Sequence, residues 1–358
     1  MPLDGMASPP INGWYDSLHQ QEYRLLRLIQ RTPGLMPISL AVHYSLLPKV
    51  ITPLLSLICW LASFPLGVSL VTFVCAQDCV NSAIKWAVQR PRPRWYSPEA
   101  GEFLLVGRIG AWEVDLSFPS AHTQFFSGMA FCTAALLRRR WPLALGFGLL
   151  IGITRNYLSM HWPTDTLVGL LLGGLLGTFW GWYDPYAWLL QIGSPMVSLL
   201  FATKFTIGLL CLMLAARQAV RPVDTATRAV WFENALLSLD DDERESVIND
   251  PRRRLRARNL KSKVPMLVTV WCALAMTGFY PYILPDVMAH PVGGVRRRLL
   301  QTLIGLVGLA AIGNLKKLVG RRGEWSDHSK GGLKALTYVA LSAWTFGVSQ
   351  VAAKAILG

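Results

Sequence analysis

Residues 166–182 read TLVGLLLGGLLGTFWGW, a stretch without a single charge. A helix rises about 1.5 Å per residue, so a run of roughly 17–25 mostly apolar residues is long enough to cross the hydrocarbon core of a bilayer. Gly169, Gly173, Gly177 and Gly181 recur every four residues and make a smooth ridge where another helix can approach closely. The ridge serves packing inside one chain or, as the alternative, a homodimer. This stretch predicts a membrane helix in an all-α bundle, and the rest of the chain is tested against that frame.

Working outward, about nine such runs appear, with approximate limits 44–64, 66–88, 122–137, 141–160, 165–183, 188–214, 264–286, 299–318 and 334–357. The predicted architecture is therefore a polytopic transmembrane helical bundle. The third run is short and spans only if Thr123 and Gln124 lie at the membrane edge. Composition agrees: 52% of residues are hydrophobic and 16% charged, against about 25% charged in soluble domains. The formal net charge of +14 raises nucleic acid as a partner, but the basic residues fall mainly in loops between spans, with no aromatic–basic platform beside them. They orient the chain and meet anionic headgroups, so the expected partner is the bilayer and not a nucleic acid. Cys59, Cys75, Cys79, Cys132, Cys211 and Cys272 all fall inside predicted spans and read as small buried packing residues.

The chain divides into three parts. Residues 1–43 form an N-terminal segment whose opening, MPLDGMASPPINGW, lacks a basic stretch followed by an apolar core, so no cleaved signal is evident. Within it, residues 14–31 carry Leu25, Leu28 and Ile29 at helical spacing between arginines, which predicts an amphipathic helix lying at the interface. Residues 44–185 form a core of five spans with short connections and nearly all the unusual polar residues. Residues 186–358 add further spans and a polar loop, 217–263, running from acidic DDDERE (240–245) to basic RRRLRARNLKSK (252–263). That loop is too small and too polar for a core of its own and reads as a linker or regulatory segment.

Three polar clusters stand against this apolar background. The first, DCVNSAIKWAVQRPRPRW (78–95), puts Asp78, Asn81 and Lys85 on one helix face, then stops the helix with Pro91 and Pro93 among Arg90, Arg92 and Arg94. A lysine this close to lipid is costly unless it faces the bundle interior or a polar site. The second, SFPSAHTQ (117–124), reads as a turn into a helix with Ser120 as N-cap and His122 in the first turn, where unpaired N–H groups favour an anion. The third, RNYLSMHWPTD (155–165), spaces Arg155, His161 and Asp165 six and then four residues apart. An aspartate four residues after a histidine can hold one ring nitrogen and raise the basicity of the other. Span parity puts all three clusters on one membrane face. One lysine, at least two arginines, two histidines and an aspartate at one depth suit a phosphoryl group, with lysine as a point charge and arginine as a bidentate fork.

These residues resemble the signature of the type 2 phosphatidic acid phosphatase (PAP2) superfamily, which also includes vanadium haloperoxidases. Lys85, Arg92 and Pro93 match its first motif, Pro119 to His122 its second, and Arg155, His161 and Asp165 its third. Ala121 stands where the family usually has glycine, and Thr154 where it usually has serine; both keep the small size or the hydroxyl. The match covers roughly residues 44–185, and the last spans have no counterpart in it. The resemblance implies a two-step phosphoryl transfer with no metal and no cofactor. In it His161 is the nucleophile, Asp165 holds its tautomer and His122 is the general acid and then base. Lys85, Arg92, Ser120, the Ala121 N–H and Arg155 hold the phosphate oxygens. A membrane lipid phosphomonoester (phosphatidate, lysophosphatidate or a sphingoid-base phosphate) is the expected substrate. Alternatives are an isoprenyl diphosphate, or binding and transport of a phospholipid without cleavage. Such an enzyme sits in an endomembrane, such as the endoplasmic reticulum, or in the plasma membrane. The basic triplet Arg138–Arg140 puts the site on the opposite, lumenal or extracellular, face, whereas the basic end of the 217–263 loop argues the other way.

Overall fold

The computed structural model of the protein describes residues 13–46, 64–96, 115–138, 141–237 and 263–279, with short pieces within 54–58 and scattered residues from 245 to 352. Among these the regular elements are helices: α1 (Gly13–Gln30), α2 (Leu35–Ser45), α3 (Phe64–Val88), α4 (Pro93–Tyr96), α5 (Ala121–Leu136), α6 (Trp141–Tyr157), α7 (Pro163–Tyr183), α8 (Pro185–Ile192), α9 (Pro195–Ala219), α10 (Thr225–Leu237) and α11 (Val264–Thr277).

The glycine ridge of α7 is taken up within the chain. A Cβ on Gly169 would meet the Ser120 carbonyl at 2.8 Å, and one on Gly181 the Cys132 carbonyl at 2.7 Å. Between them, Gly173 lies against Gln124 and Ser127, and Gly177 against the backbone of Gly128. The helices α5 and α7 thus run side by side over their full length, closer than side chains would allow. Because Ser120 begins α5 and Pro163 begins α7, this contact also aligns their polar starts. The Ser120 N–H donates to the Asp165 carbonyl at 3.0 Å.

Helix α3 is the shared wall. Its Leu70, Phe73, Ala76 and Trp86 pack in one apolar cluster with Leu209 and Met213 of α9, Trp231 of α10, and Leu267 and Val270 of α11. The additional helices are therefore part of the same core. An ion pair helps to fix α11: Lys263 Nζ donates to both carboxylate oxygens of Asp78 at 3.0 Å. The polar loop is tied to the same end of the bundle as the three clusters. Gln89 Nε2 donates to the Arg221 carbonyl at 2.7 Å, the Val223 N–H donates to Gln89 Oε1 at 3.0 Å, and Asn234 Nδ2 donates to the Trp95 carbonyl at 3.0 Å.

Several expectations are corrected. Three helical stretches, Leu66–Tyr96, Pro163–Ile192 and Pro195–Ala219, are long and apolar enough to cross a membrane. These are spans of the described residues only, among which α5 and α6 are 16 and 17 residues long. The spans expected at 44–64 and 334–357 lie largely outside the described residues, and that at 299–318 is described in part, as a short apolar helix at Thr302–Ile312. The span expected at 188–214 is broken at Gly193 (φ 60°) and Ser194, whose side chain caps α9 while Pro195 takes its first position. Thr123 and Gln124 are fully buried within the bundle. Cys75, Cys79, Cys132 and Cys272 are buried as read, but Cys211 is exposed on α9, and Cys59 lies outside the described residues.

Candidate active site

Each polar cluster sits where a helix starts or stops at one end of the bundle. Helix α3 carries Lys85 one turn before its end. Helix α6 ends at Tyr157, and the chain then turns through Ser159 in the left-handed region (φ 48°), delivering His161 just before Pro163 opens α7. Ser120 caps α5 as expected, its Oγ accepting from the Thr123 N–H at 3.4 Å, with His122 one residue inside the helix.

The segment 115–117 ties the clusters together. Lys85 is 1% exposed; its ammonium donates to the Leu116 carbonyl and lies 3.7 Å from the Asp115 carboxylate. Arg92 donates from Nε to the Asp115 carbonyl at 2.6 Å and from Nη1 to the Met160 carbonyl at 2.8 Å. The same Nη1 lies 3.4 Å from His161 Nε2. Burial opposes ionisation of Asp115, but Lys85, Lys263 and Arg92 outweigh it and hold that carboxyl below the usual carboxylate range.

The orientation of His161 differs from the expectation. Its Nδ1 lies 2.9 Å from the Ser117 carbonyl and 3.7 Å from Asp165 Oδ2. The carbonyl is the nearest partner, the Ser117 hydroxyl lies 3.4 Å from the same nitrogen, and the carboxylate is more distant. A carbonyl can only accept, so Nδ1 carries the proton and Nε2 keeps its lone pair toward Arg92. Asp165 acts one bond further away. The Ser117 hydroxyl and the Trp162 N–H, the latter at 2.9 Å, donate to its Oδ2.

Arg90, which the sequence offered only as a basic flank, is 3% exposed and touches three acceptors besides Asp165. Its Nη1 donates to Asp165 Oδ1 at 2.8 Å and to Thr164 Oγ1 at 2.6 Å, its Nε to His19 Nε2 at 3.1 Å, and its Nη2 to Glu22. His19 is stacked on Trp162 with ring centroids 4.6 Å apart. Burial first, and then the Arg90 guanidinium, lower its pKa from 6.5 to about 4, with Asp165 opposing.

Lys85, Arg92, Ser120, His161 and Asp165 are thus joined by shared hydrogen bonds. Arg155 joins through Met160: its Nη1 lies 3.0 Å from His43 Nδ1 on α2 and donates to the Met160 sulfur at 3.4 Å. Ala121 opens α5 directly after Ser120. His122 is half-buried with its ring over Phe126, centroids 6.3 Å apart, and the bond between Ser120 and Asp165 holds its helix start against α7. Among the described residues no group of three or more His, Cys, Asp or Glu side chains gathers as a metal-binding set. The residues that sequence reasoning missed are Ser117, Arg90, His19, Glu22 and His43. Only Arg90 and Ser117 lay inside a cluster singled out in advance.

The arrangement places a histidine with one nitrogen committed and the other beside a guanidinium, in a site lined by cations. Comparisons with known proteins give the following. The model of the PAP2 superfamily matches residues 66–189. A putative undecaprenyl-diphosphatase of Escherichia coli strain K12 is 32% identical over 157 residues, 42% of this chain and 75% of that protein. A lipid A 4'-phosphatase of Bacteroides thetaiotaomicron is 30% identical over 118 residues, 31% of this chain and 48% of the relative. A glucose-6-phosphatase 3 of Mus musculus is 25% identical over 211 residues, 51% and 60% of the two chains. The chain thus spans less than two thirds of the last two relatives. No solved structure matches it.

Proposed function

Because the chain belongs to the PAP2 superfamily, we propose that it is a metal-independent phosphatase acting on a phosphomonoester of a membrane lipid: phosphatidate, lysophosphatidate or a sphingoid-base phosphate. The observation that carries this is the His161 ring, its Nδ1 2.9 Å from the Ser117 carbonyl and its Nε2 3.4 Å from Arg92. In the first step Nε2 attacks phosphorus, the bond to the lipid oxygen breaks, and His122 gives that oxygen a proton. In the second step His122 takes a proton from water, the water oxygen attacks phosphorus, and the phosphohistidine bond breaks to release phosphate. Lys85, Arg92, Arg155, Ser120 and the Ala121 N–H hold the equatorial oxygens, where negative charge spreads in the transition state. Positioning and fixed positive charge supply most of the rate.

A lipid is favoured over a soluble phosphoester by the apolar space beside the site. A cavity of about 880 Å³ is lined by Val42, Leu46, Phe126, Met129, Ala144 and Ile151, and Phe126 also underlies His122. An isoprenyl diphosphate is the second reading, supported by the likeness to an undecaprenyl-diphosphatase. The proposed location is an endomembrane or the plasma membrane, with the site lumenal or extracellular.

The test is phosphate release by purified protein in detergent, in the presence of a strong chelator. Phosphatidate, sphingosine phosphate and farnesyl diphosphate serve as substrates, with a His161→Ala control. Chelator-resistant release that the control lacks is the expected result, and the preferred substrate selects between the two readings. Full activity in His161→Ala would overturn the assignment. Phospholipid binding without release from any substrate would favour a lipid-handling role.

A further inference from the structure

Helix α1 lies outside residues 66–189 and has no place in the site read from the three motifs. Its buried stripe is nevertheless polar where it meets that site. His19, Glu22 and Leu26 are 0%, 5% and 2% exposed and follow one another at helical spacing. A glutamate is rarely buried unless paired, and Glu22 is paired twice. Its Oε2 takes the Arg90 Nη2, and its Oε1 accepts from the Thr164 N–H at 2.8 Å and the Thr164 hydroxyl at 2.6 Å. Thr164 immediately precedes Asp165 in the chain.

Resting on the phosphatase reading, we propose that Glu22, with His19, is a positioning residue for the nucleophile, acting through Arg90, Asp165 and Ser117 on His161. The hydrogen bonds form one continuous chain. Glu22 and His19 fix two sides of the Arg90 guanidinium, and its Nη1 fixes Asp165 Oδ1. Asp165 Oδ2 receives the Ser117 hydroxyl, and the Ser117 carbonyl receives the Nδ1 proton of His161. Every side chain between α1 and the nucleophile is at most 5% exposed, so each bond is made away from bulk water, where hydrogen bonds are stronger and an unpaired group costs more. None of these groups needs to touch the substrate. Their effect is on the tautomer and aim of one ring, so they bear on the chemical step and leave substrate binding nearly unchanged.

The test uses the full chain in detergent with two substitutions. Glu22→Gln keeps size and the acceptor for Thr164 but sets an amide against Arg90. His19→Phe keeps a ring on Trp162 but removes the acceptor from Arg90 Nε. Steady-state kinetics on the best lipid phosphate are paired with spectra of [15N]histidine-labelled protein, in which the His161 ring nitrogens report the tautomer without turnover. A monodisperse Glu22→Gln protein is expected to lose about tenfold in kcat, at the low end of what outer-shell partners contribute. Its KM should stay within about twofold, with the His161 signals shifted toward the other tautomer; His19→Phe should move both readouts the same way. Unchanged kcat and unchanged His161 signals in both variants would overturn the proposal while leaving the phosphatase standing. A parent that releases no phosphate, with His161 signals still shifted in the variants, would overturn the phosphatase and uphold the positioning chain.

Discussion

Lys85 makes the residue scale concrete. It stands on an apolar helix and is 1% exposed, a position that disfavours a charge unless partners surround it. The Leu116 carbonyl and the Asp115 carboxylate, 3.7 Å away, are those partners. In the proposed reaction a phosphate oxygen arriving beside Lys85 would find a cation already desolvated and aimed, leaving little reorganisation at the transition state. Lys85→Met keeps the length of the side chain and removes the charge. It is expected to lower kcat/KM several-hundredfold, roughly the loss typical of removing one oxyanion stabiliser, and Arg155→Met should act similarly. Steady-state kinetics against one lipid phosphate decide it: a loss under about tenfold would remove that residue from the phosphate-binding set. At this scale the sequence was informative wherever a side chain carried the chemistry, because cations and histidines are conspicuous in apolar surroundings. It was silent about the Nδ1 partner, since the Ser117 main-chain carbonyl has no side-chain signature. It also could not separate Arg90 from Arg92 and Arg94, which alternate identically and are sorted only by the turn at Pro91 and Pro93.

Helices hold the next level of information, and α1 is the instructive one. The sequence pattern gave a helix with Leu25, Leu28 and Ile29 as its apolar side, and Leu25 and Leu28 are indeed on the outer surface, 45% and 65% exposed. The opposite face docks through His19 and Glu22, a contact between partners about 70 and 140 residues apart that no local period can announce. This docking carries a pH dependence. The folded state lowers the His19 pKa from 6.5 to about 4, so between those values the unfolded form binds more protons than the folded one. The contribution of His19 to stability is therefore complete above about pH 6.5 and is lost as pH falls toward 4. Protonation also converts the acceptor of the Arg90 Nε–H into a second cation beside it, with the carboxylates of Glu22 and Asp165 on the same guanidinium. Amide hydrogen exchange over residues 13–30, corrected for the intrinsic rate, is expected to accelerate as pH drops from 6.5 to 4. The His19→Phe protein should lack that acceleration, and a flat profile in the parent would rule the linkage out.

Across the whole molecule, the apolar runs foretold a helical bundle but not its breaks. Gly193 and Ser194 interrupt a run that composition alone reads as continuous, and the Lys263–Asp78 pair joins two helices far apart in sequence. Topology is where charge counting pulled both ways. Arg138 lies at the end of α5 away from Ser120, hence away from the site, and in the proposed orientation its basic turn faces the cytosol. Arg221 and Asn234, in the first half of the 217–263 loop, are bonded to Gln89 and Trp95 on the site's own face. Only one of the turn and the loop can follow the positive-inside tendency. The proposed orientation follows the short basic turn between α5 and α6. The proposed lumenal or extracellular site then predicts the labelling of two exposed positions in a background without the native cysteines. With the protein placed in the plasma membrane of sealed cells, a membrane-impermeant maleimide should modify Asp224→Cys, just before α10 on the site face, from outside. It should reach Arg138→Cys only after permeabilisation. The reverse pattern would put the phosphate site in the cytosol and assign the 217–263 loop to the side its basic residues favour.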